Sequence, residues 1–235
     1  MRTPWASLDG QLIVSCQAAE DDPLRDPAIM AALARAASLG GAAGIRANGA
    51  DDIAAIHAVV DLPLIGLQKR VYSGIQCITP TTADARALVT AGATIIAIEA
   101  TAQREELTRY GDIDQFATLA RCIHGDLEVA VLADISTVGE ALRAVEQGAD
   151  LVATTLTGYT PDSPPRDEPD ISLVRELSQQ LSVPVIAEGH IWTPEQARDA
   201  LDAGAFAVVV GSAITRPRLL TERFVRTLHD SALKG

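Results

Sequence analysis

The amino-acid sequence predicts an α/β protein with the architecture of a (β/α)8 TIM barrel. Three observations carry that prediction. The chain has 235 residues, near the roughly 250 typical of one such barrel. Short apolar runs alternate with longer Ala-, Leu- and Glu-rich segments of helical period. A weak repeat, Gly40-Gly41-Ala42, Gly92-Ala93, Gly148-Ala149 and Gly204-Ala205, stands between helical segments and the runs that follow. No break in composition divides the chain, so 1–235 reads as a single domain.

Eight strands are expected, at Leu12–Gln17, Ala43–Ala47, Leu62–Lys69, Thr94–Glu99, Leu127–Asp134, Leu151–Leu156, Pro184–Glu188 and Ala205–Gly211. They are apolar on both faces, as parallel strands covered by helices must be. The segments Ala28–Leu39, Thr82–Ala91, Thr137–Glu146, Ile171–Leu181 and Pro194–Ala203 place apolar residues at helical spacing. The repeat glycines suit the left-handed conformation that ends a helix. Thr193-Pro194-Glu195 reads as an N-cap, a first-turn proline and an acidic first turn, and Ser136-Thr137 before Glu140 is similar. A doubly wound open sheet is the alternative, but Ser15-Cys16-Gln17-Ala18 is no Gly-rich dinucleotide loop. Asp162–Pro169, after the sixth strand, reads as a mobile active-site loop. Pro217–Lys234 has Leu219, Leu220, Phe224, Val225 and Leu228 at helical spacing and reads as the eighth barrel helix, packed on its own sheet.

Composition excludes several functions. The formal charge of −12 argues against a nucleic-acid partner, which needs clustered Lys and Arg. No apolar run approaches the ~20 residues of a membrane span, and Met1-Arg2-Thr3-Pro4-Trp5 lacks the apolar stretch of a leader. The expectation is a cytoplasmic protein with no membrane partner. Cys16, Cys77 and Cys122 are odd in number and widely spaced, and they read as small apolar residues rather than a disulfide or metal set. Aromatic residues are 3 %, too few for a stacking platform.

In a barrel, chemistry gathers where strands end. Polar groups stand at nearly every such place: Gln17, Arg46 and Asn48, Lys69-Arg70, Glu99, Asp134, Thr154-Thr155, Glu188-Gly189 and Gly211-Ser212. One alone fits a helix cap or a surface residue equally well; seven or eight in order do not. Gly189, Gly211 and Ser212 follow the last two strands, where backbone N–H groups and a short helix can cradle a phosphate. The expectation is a barrel of the phosphate-binding type; Gly189 and Gly211 as plain turn glycines is the alternative. Lys69 is either an ion-paired lysine, with Asp134 or Glu188, or leaves the barrel mouth toward a ligand as a Schiff-base nucleophile or a proton carrier. Each of the last two roles needs a neutral amine, which partial burial and Arg46 favour. His57 and His229 fall in helical segments and His124 at a helix end; His190 alone lies at the catalytic end.

Seven strings together resemble one family: Val14-Ser15-Cys16-Gln17-Ala18, Gly44-Ile45-Arg46-Ala47-Asn48, Pro63-Leu64-Ile65-Gly66, Ala133-Asp134-Ile135-Ser136-Thr137, Thr154-Thr155-Leu156-Thr157-Gly158-Tyr159-Thr160, Pro184-Val185-Ile186-Ala187-Glu188-Gly189 and Val210-Gly211-Ser212-Ala213-Ile214-Thr215-Arg216-Pro217. They are similar to N-acylglucosamine-6-phosphate 2-epimerase, also called N-acetylmannosamine-6-phosphate 2-epimerase, in order over nearly the whole chain. The resemblance implies interconversion of N-acetylmannosamine 6-phosphate and N-acetylglucosamine 6-phosphate in sialic acid and amino-sugar breakdown, without metal or organic cofactor. It implies that Lys69 moves the C2 proton and that Glu188 is the partner carboxylate near the C1 oxygen. Gln17, Arg46, Asp134 and Arg216 then hold the substrate, with Thr155 beside them at its strand end. It also implies a homodimer, with the terminal helix kept or exchanged.

The chemistry suits these residue types. The aldehyde of the open-chain sugar acidifies the C2 hydrogen, neutral Lys69 can remove it, and protonated Glu188 or Arg46 can steady the enolate oxygen. One lysine returning the proton and a second acid on the other face both remain open. Three positions depart from the family pattern. His190 replaces an arginine, Glu99 an aspartate, and Ala102-Gln103-Arg104-Glu105-Glu106 an Arg- and Pro-containing stretch. They bear on affinity or N-acyl preference and spare the proton-transfer pair. A Schiff-base aldolase and a non-catalytic sugar-phosphate sensor are the competing readings.

Overall fold

The computed structural model describes residues 5–72, 74–110 and 112–230. Residues 1–4 of the stretch read for a leader, and 231–234 of the expected terminal helix, lie outside them. Eight parallel strands close a barrel: β1 (Leu12–Cys16), β2 (Gly44–Asn48), β3 (Leu64–Leu67), β4 (Ile95–Glu99), β5 (Ala130–Asp134), β6 (Leu151–Ala153), β7 (Val185–Glu188) and β8 (Ala207–Val210). Each pairs with its neighbour in the chain, and β8 returns to β1 through Leu12 opposite Val208. All eight expected strands are present, seven with trimmed ends and the second shifted by one residue to Gly44–Asn48.

Strand alternation sorts the side chains into two cores. Ile13, Ile65, Ile95, Leu132, Ile186 and Val209 fill the barrel. Val14, Ile45, Ile96, Val131 and Val152 face the helices. Each such burial stabilises by about 1.5–3 kcal/mol. Leu8 joins the inner core, and Gly44 makes room for it: a Cβ there would stand 2.9 Å from the Leu8 side chain.

The helices are α1 (Pro27–Leu39), α2 (Ala50–His57), α3 (Thr82–Thr90), α4 (Ala102–Leu107), α5 (Phe116–Cys122), α6 (Val138–Glu146), α7 (Ile171–Gln180), α8 (Pro194–Asp202), α9 (Ser212–Thr215) and α10 (Pro217–Asp230). Thr137 and Thr193 cap α6 and α8 in reciprocal boxes with Glu140 and Gln196. Gly41, Gly92, Gly148 and Gly204 do follow helices in the left-handed region, with φ of +96° at Gly41 and +114° at Gly92, whereas Gly40 is right-handed. His124 lies in a π-turn, Ile123–Leu127, and meets Asp150 at 2.8 Å. Cys16 and Cys77 are buried free thiols that burial pushes up to about 12, which fits apolar packing. Among the described residues, no helix is long and apolar enough to cross a membrane.

Two expectations are corrected. The third strand does not run to Lys69. It stops at Leu67, and Lys69–Tyr72 pairs antiparallel with Ile75–Ile78 as a hairpin at the barrel mouth. Side chains redirect the backbone: Asn48 Oδ1 accepts from Lys69 N at 2.8 Å, and Thr79 Oγ1 accepts from Gln68 N at 3.1 Å while donating to Ala97 O at 2.6 Å. For the terminal helix, whose placement the sequence left open, packing on its own sheet is not what is observed. None of the described α10 side chains is buried, with Phe224 66 % and Val225 45 % exposed. The chain turns at Arg216 (φ −120°, ψ 74°) before Pro217 starts the helix. A groove of about 400 Å³, lined by Leu12, Ala197, Leu201, Val208, Val210 and Ile214, stays open on the outer face of β1 and β8. The segment expected to be a mobile loop is tied at several points. Ser163 Oγ accepts from Gly158 N at 2.8 Å and lies 3.2 Å from Thr160 Oγ1, and Arg166 pairs with Asp170 at 2.5 Å.

Candidate active site

The strand alternation that fills the barrel also builds its rim. Continuing the inward positions upward from Ile13, Ile65, Ala97, Leu132, Ala153 and Ile186 reaches Gln17, Lys69, Glu99, Asp134, Thr155 and Glu188. Arg46 and Gly211 complete the ring from β2 and the end of β8. All of them except Asp134 line a cavity of about 520 Å³ at the C-terminal face. Asp134 is fully buried behind Arg46.

Arg46 is the electrostatic centre. Its Nη1 and Nη2 donate to Asp134 Oδ1 and Oδ2 at 3.0 and 2.6 Å, and Nη1 also stands 3.0 Å from Glu188 Oε2. Burial opposes its charge, but Asp134 and Glu188 outweigh burial and raise its pKa. Thr155 Oγ1 lies 2.5 Å from Asp134 Oδ1 and 3.2 Å from Glu188 Oε2. A hydroxyl has one hydrogen. Given to Asp134, it leaves the Thr155 oxygen as an acceptor for a neutral Glu188 carboxyl.

Two ionisable groups move in complementary directions. Burial, then the charge of Asp134, pushes Glu188 up to about 7 against the pull of Arg46, Thr155 and Lys69. Burial, then Arg46, lowers Lys69 below the ordinary lysine range, and Glu188 and Asp134 only partly offset this. Their backbones are pinned as well. Asn48 holds Lys69 N, while Thr154 Oγ1 donates to Glu188 O at 2.9 Å and accepts from Glu188 N at 3.0 Å.

Gly189, Gly211, Ser212 and Arg216 share one side of the cavity. Gly189 has φ +107°, a conformation strained for any residue with a side chain. Ser212 opens α9, and Thr215 Oγ1 ties that turn to Ser15 O at 2.6 Å. Every expected site residue is thus brought to one mouth. His190 joins them, at φ +58°, with its ring stacked on Tyr159 at 4.7 Å and its Nε2 3.1 Å from Thr157 O. The carbonyl only accepts, so Nε2 carries the hydrogen.

Sequence reasoning missed several neighbours. Ser15 accepts from Gln17 Nε2 at 2.8 Å, which leaves Gln17 Oε1 buried, without a partner and facing the cavity. Its signal was present, because Ser15 and Gln17 share the inward side of one strand. Tyr159, Trp192 and the hairpin residues Ile75 and Gln76 also line the mouth; Tyr159 falls in the Thr154–Thr160 string, and no motif marks the other three. Glu99 and Arg104 have a structural explanation. Glu99 accepts from Ile78 N at 3.1 Å and Thr101 Oγ1 at 2.6 Å, and burial raises its pKa. Arg104 donates to Ile78 O, Thr79 O, Pro80 O and Asp114 O at 2.8–3.3 Å. Both departures from the family pattern hold the hairpin in place. Among the described residues, no three His, Cys, Asp or Glu side chains converge as a metal-binding group.

A closed (β/α)8 barrel with an amine and a carboxyl of shifted pKa at its C-terminal mouth defines the class: a barrel enzyme with its site at the strand ends. A family model described as "Putative N-acetylmannosamine-6-phosphate epimerase", NanE, matches residues 30–230. The chain belongs to that family. It is 48 % identical over 224 residues to a protein of Caldanaerobacter subterraneus subsp. tengcongensis named "Putative N-acetylmannosamine-6-phosphate 2-epimerase", covering 95 % of this chain and 93 % of that one. The solved N-acetylmannosamine-6-phosphate 2-epimerase of Clostridium perfringens superposes with a TM-score of 0.87 at 41 % identity, over 94 % of each chain. Thiamine phosphate pyrophosphorylase of Pyrococcus furiosus, at 16 % identity and TM-score 0.60 over 89 % of this chain and 91 % of that one, shares the fold alone.

Proposed function

We propose that this enzyme, as one barrel domain over 1–235, is an isomerase that interconverts N-acetylmannosamine 6-phosphate and N-acetylglucosamine 6-phosphate by moving the proton at C2. The observation that carries the reading is the opposed shift of Lys69 and Glu188 at one cavity. Burial and Arg46 shift Lys69 toward the neutral amine, and burial and Asp134 shift Glu188 toward the neutral carboxyl. The relatives' names supply the substrate.

The chemistry follows from these groups. Lys69 removes the C2 proton of the open-chain aldehyde. The electron pair moves to the C1 oxygen, which Glu188 protonates or Arg46 steadies from its fixed place on Asp134. Reprotonation on the other face of C2 gives the epimer. Gly189, Gly211, Ser212 and Arg216 hold the phosphate, Thr155 orders Glu188, and Gln17 Oε1 accepts from a substrate N–H or O–H. No step calls on a cofactor.

We further infer a cytoplasmic homodimer acting in amino-sugar and sialic acid catabolism. The dimer is supported by the exposed Phe224 and Val225 of α10 and by the open groove beside β1 and β8. Proton NMR of the protein with N-acetylmannosamine 6-phosphate tests the activity, and the gluco isomer is the expected product. No product at high enzyme concentration would refute it. Borohydride should trap no adduct on Lys69; a trapped adduct would favour an aldolase.

A further inference from the structure

We propose that Asp22, in the loop between β1 and α1, is the positioning residue that aims Arg216 at the anionic group of the substrate. The inference rests on the reading that Arg216 meets the phosphate. Asp22 Oδ2 stands 3.4 Å from Arg216 Nε, and the two side chains are 2 % and 19 % exposed. The carboxylate is itself fixed. Its Oδ1 accepts from Leu24 N at 3.0 Å, Asp22 N donates to Ala19 O at 3.1 Å, and Arg25 N donates to Asp22 O at 2.9 Å.

The direction of the guanidinium follows. Asp22 faces the Nε edge as a charge partner without a hydrogen bond to it, and among the described residues neither Nη atom of Arg216 makes a hydrogen bond. That free edge belongs to a side chain lining the cavity beside Gly211 and Ser212. Two parallel N–H groups are the fork that matches a phosphate. An arginine without a second anchor would spread over many rotamers and lose part of that grip to entropy. The backbone before it is already tied, through Thr215 Oγ1 to Ser15 O. Asp22 therefore restrains the remaining freedom of the side chain through its charge.

The arrangement joins the first and last βα loops of the barrel. Asp21, next in line, pairs with Arg218 at 3.3 Å on the first turn of α10, but that pair is exposed and adds little. The buried Asp22 pair is the one with geometry to impose.

Kinetics of Asp22→Asn with N-acetylmannosamine 6-phosphate, together with competitive inhibition by inorganic phosphate, test the proposal. KM and the phosphate inhibition constant should rise together by about tenfold, with kcat within about twofold. Asp22→Glu should recover part of the loss, and Asp21→Asn should change neither constant. A merely structural pair would lower the folded fraction and leave both constants at wild-type values, and that result would overturn the proposal. Should Asp22→Asn fail to fold, the double variant Asp22→Asn/Arg216→Gln buries neither charge alone. It should match Arg216→Gln in both constants; a further rise of about tenfold would overturn the proposal. A wild-type protein without turnover would fail the functional reading instead. Calorimetric titration of inorganic phosphate into wild type and Asp22→Asn would then decide the matter, with equal affinities counting against it.

Discussion

Arg46 grips Asp134 with both arms of its guanidinium, at 3.0 and 2.6 Å, and neither side chain reaches solvent. The pair spans the barrel between β2 and β5, and Glu188 of β7 leans on the same guanidinium at 3.0 Å. Three strand ends are thus locked by one cation. The Glu188 carboxyl at the cavity thus shares its cation with a pair that is also part of the core.

Breaking that pair should destabilise the fold as well as the site. Asp134→Ala leaves a buried guanidinium with only Glu188 as counter-charge, which costs about 3–5 kcal/mol. Urea denaturation should show the lower midpoint. A variant as stable as wild type would show that the ion pair is not structural.

The pH dependence of catalysis has a defined sign. The proposed mechanism needs neutral Lys69 and protonated Glu188, so on that reading kcat/KM should fall as pH rises through about 7. Glu188→Gln keeps a neutral donor that cannot ionise. Its turnover should be lower by about 100-fold, and the limb near 7 should vanish. Stability carries the same signature. The folded state holds the Glu188 proton above the ordinary value of 4.5, so this stabilisation is complete below 4.5 and lost as pH passes about 7. Glu188→Gln should lack that loss, as chemical denaturation at pH 4.5 and 7.5 can measure.

Asn48 should matter through Lys69. Its side chain accepts from Lys69 N at 2.8 Å where the strand gives way to the hairpin. Asn48→Ala should lower kcat by about tenfold while KM stays within about twofold, because the loss falls on the aim of the amine. Steady-state kinetics at a fixed pH decide this. A KM effect alone would assign Asn48 to substrate binding.

Much of the site was legible because strand alternation is a simple rule. Once eight apolar runs are placed, every second residue faces inward, and Gln17, Lys69, Glu99, Asp134, Thr155 and Glu188 follow. What the sequence hides depends on contacts between distant segments. The run from Leu62 to Lys69 reads as one strand, and only Asn48 and Thr79, from other elements, show why it breaks at Leu67. Arg104 carries no motif, because its partners are backbone carbonyls of the hairpin and the loop before α5. Asp22 meets Arg216 only once the barrel closes. The terminal helix has an apolar face at helical spacing, but spacing does not say against which surface that face is buried.

Oligomerisation should depend on that face. Sedimentation velocity should give a dimer for wild type, and Phe224→Asp, at an exposed position of α10, should shift it toward monomer. A wild-type monomer at micromolar concentration would contradict the homodimer. An unchanged dimer in the variant would move the interface elsewhere.

The central claim is that Lys69 carries the C2 proton. N-acetylmannosamine 6-phosphate incubated in deuterated water with wild-type protein or with Lys69→Met, followed by NMR, tests it most directly. Wild type should yield the gluco isomer with deuterium at C2, and folded Lys69→Met should yield neither product nor exchange. Deuterium entering C2 at the wild-type rate in Lys69→Met would contradict the account.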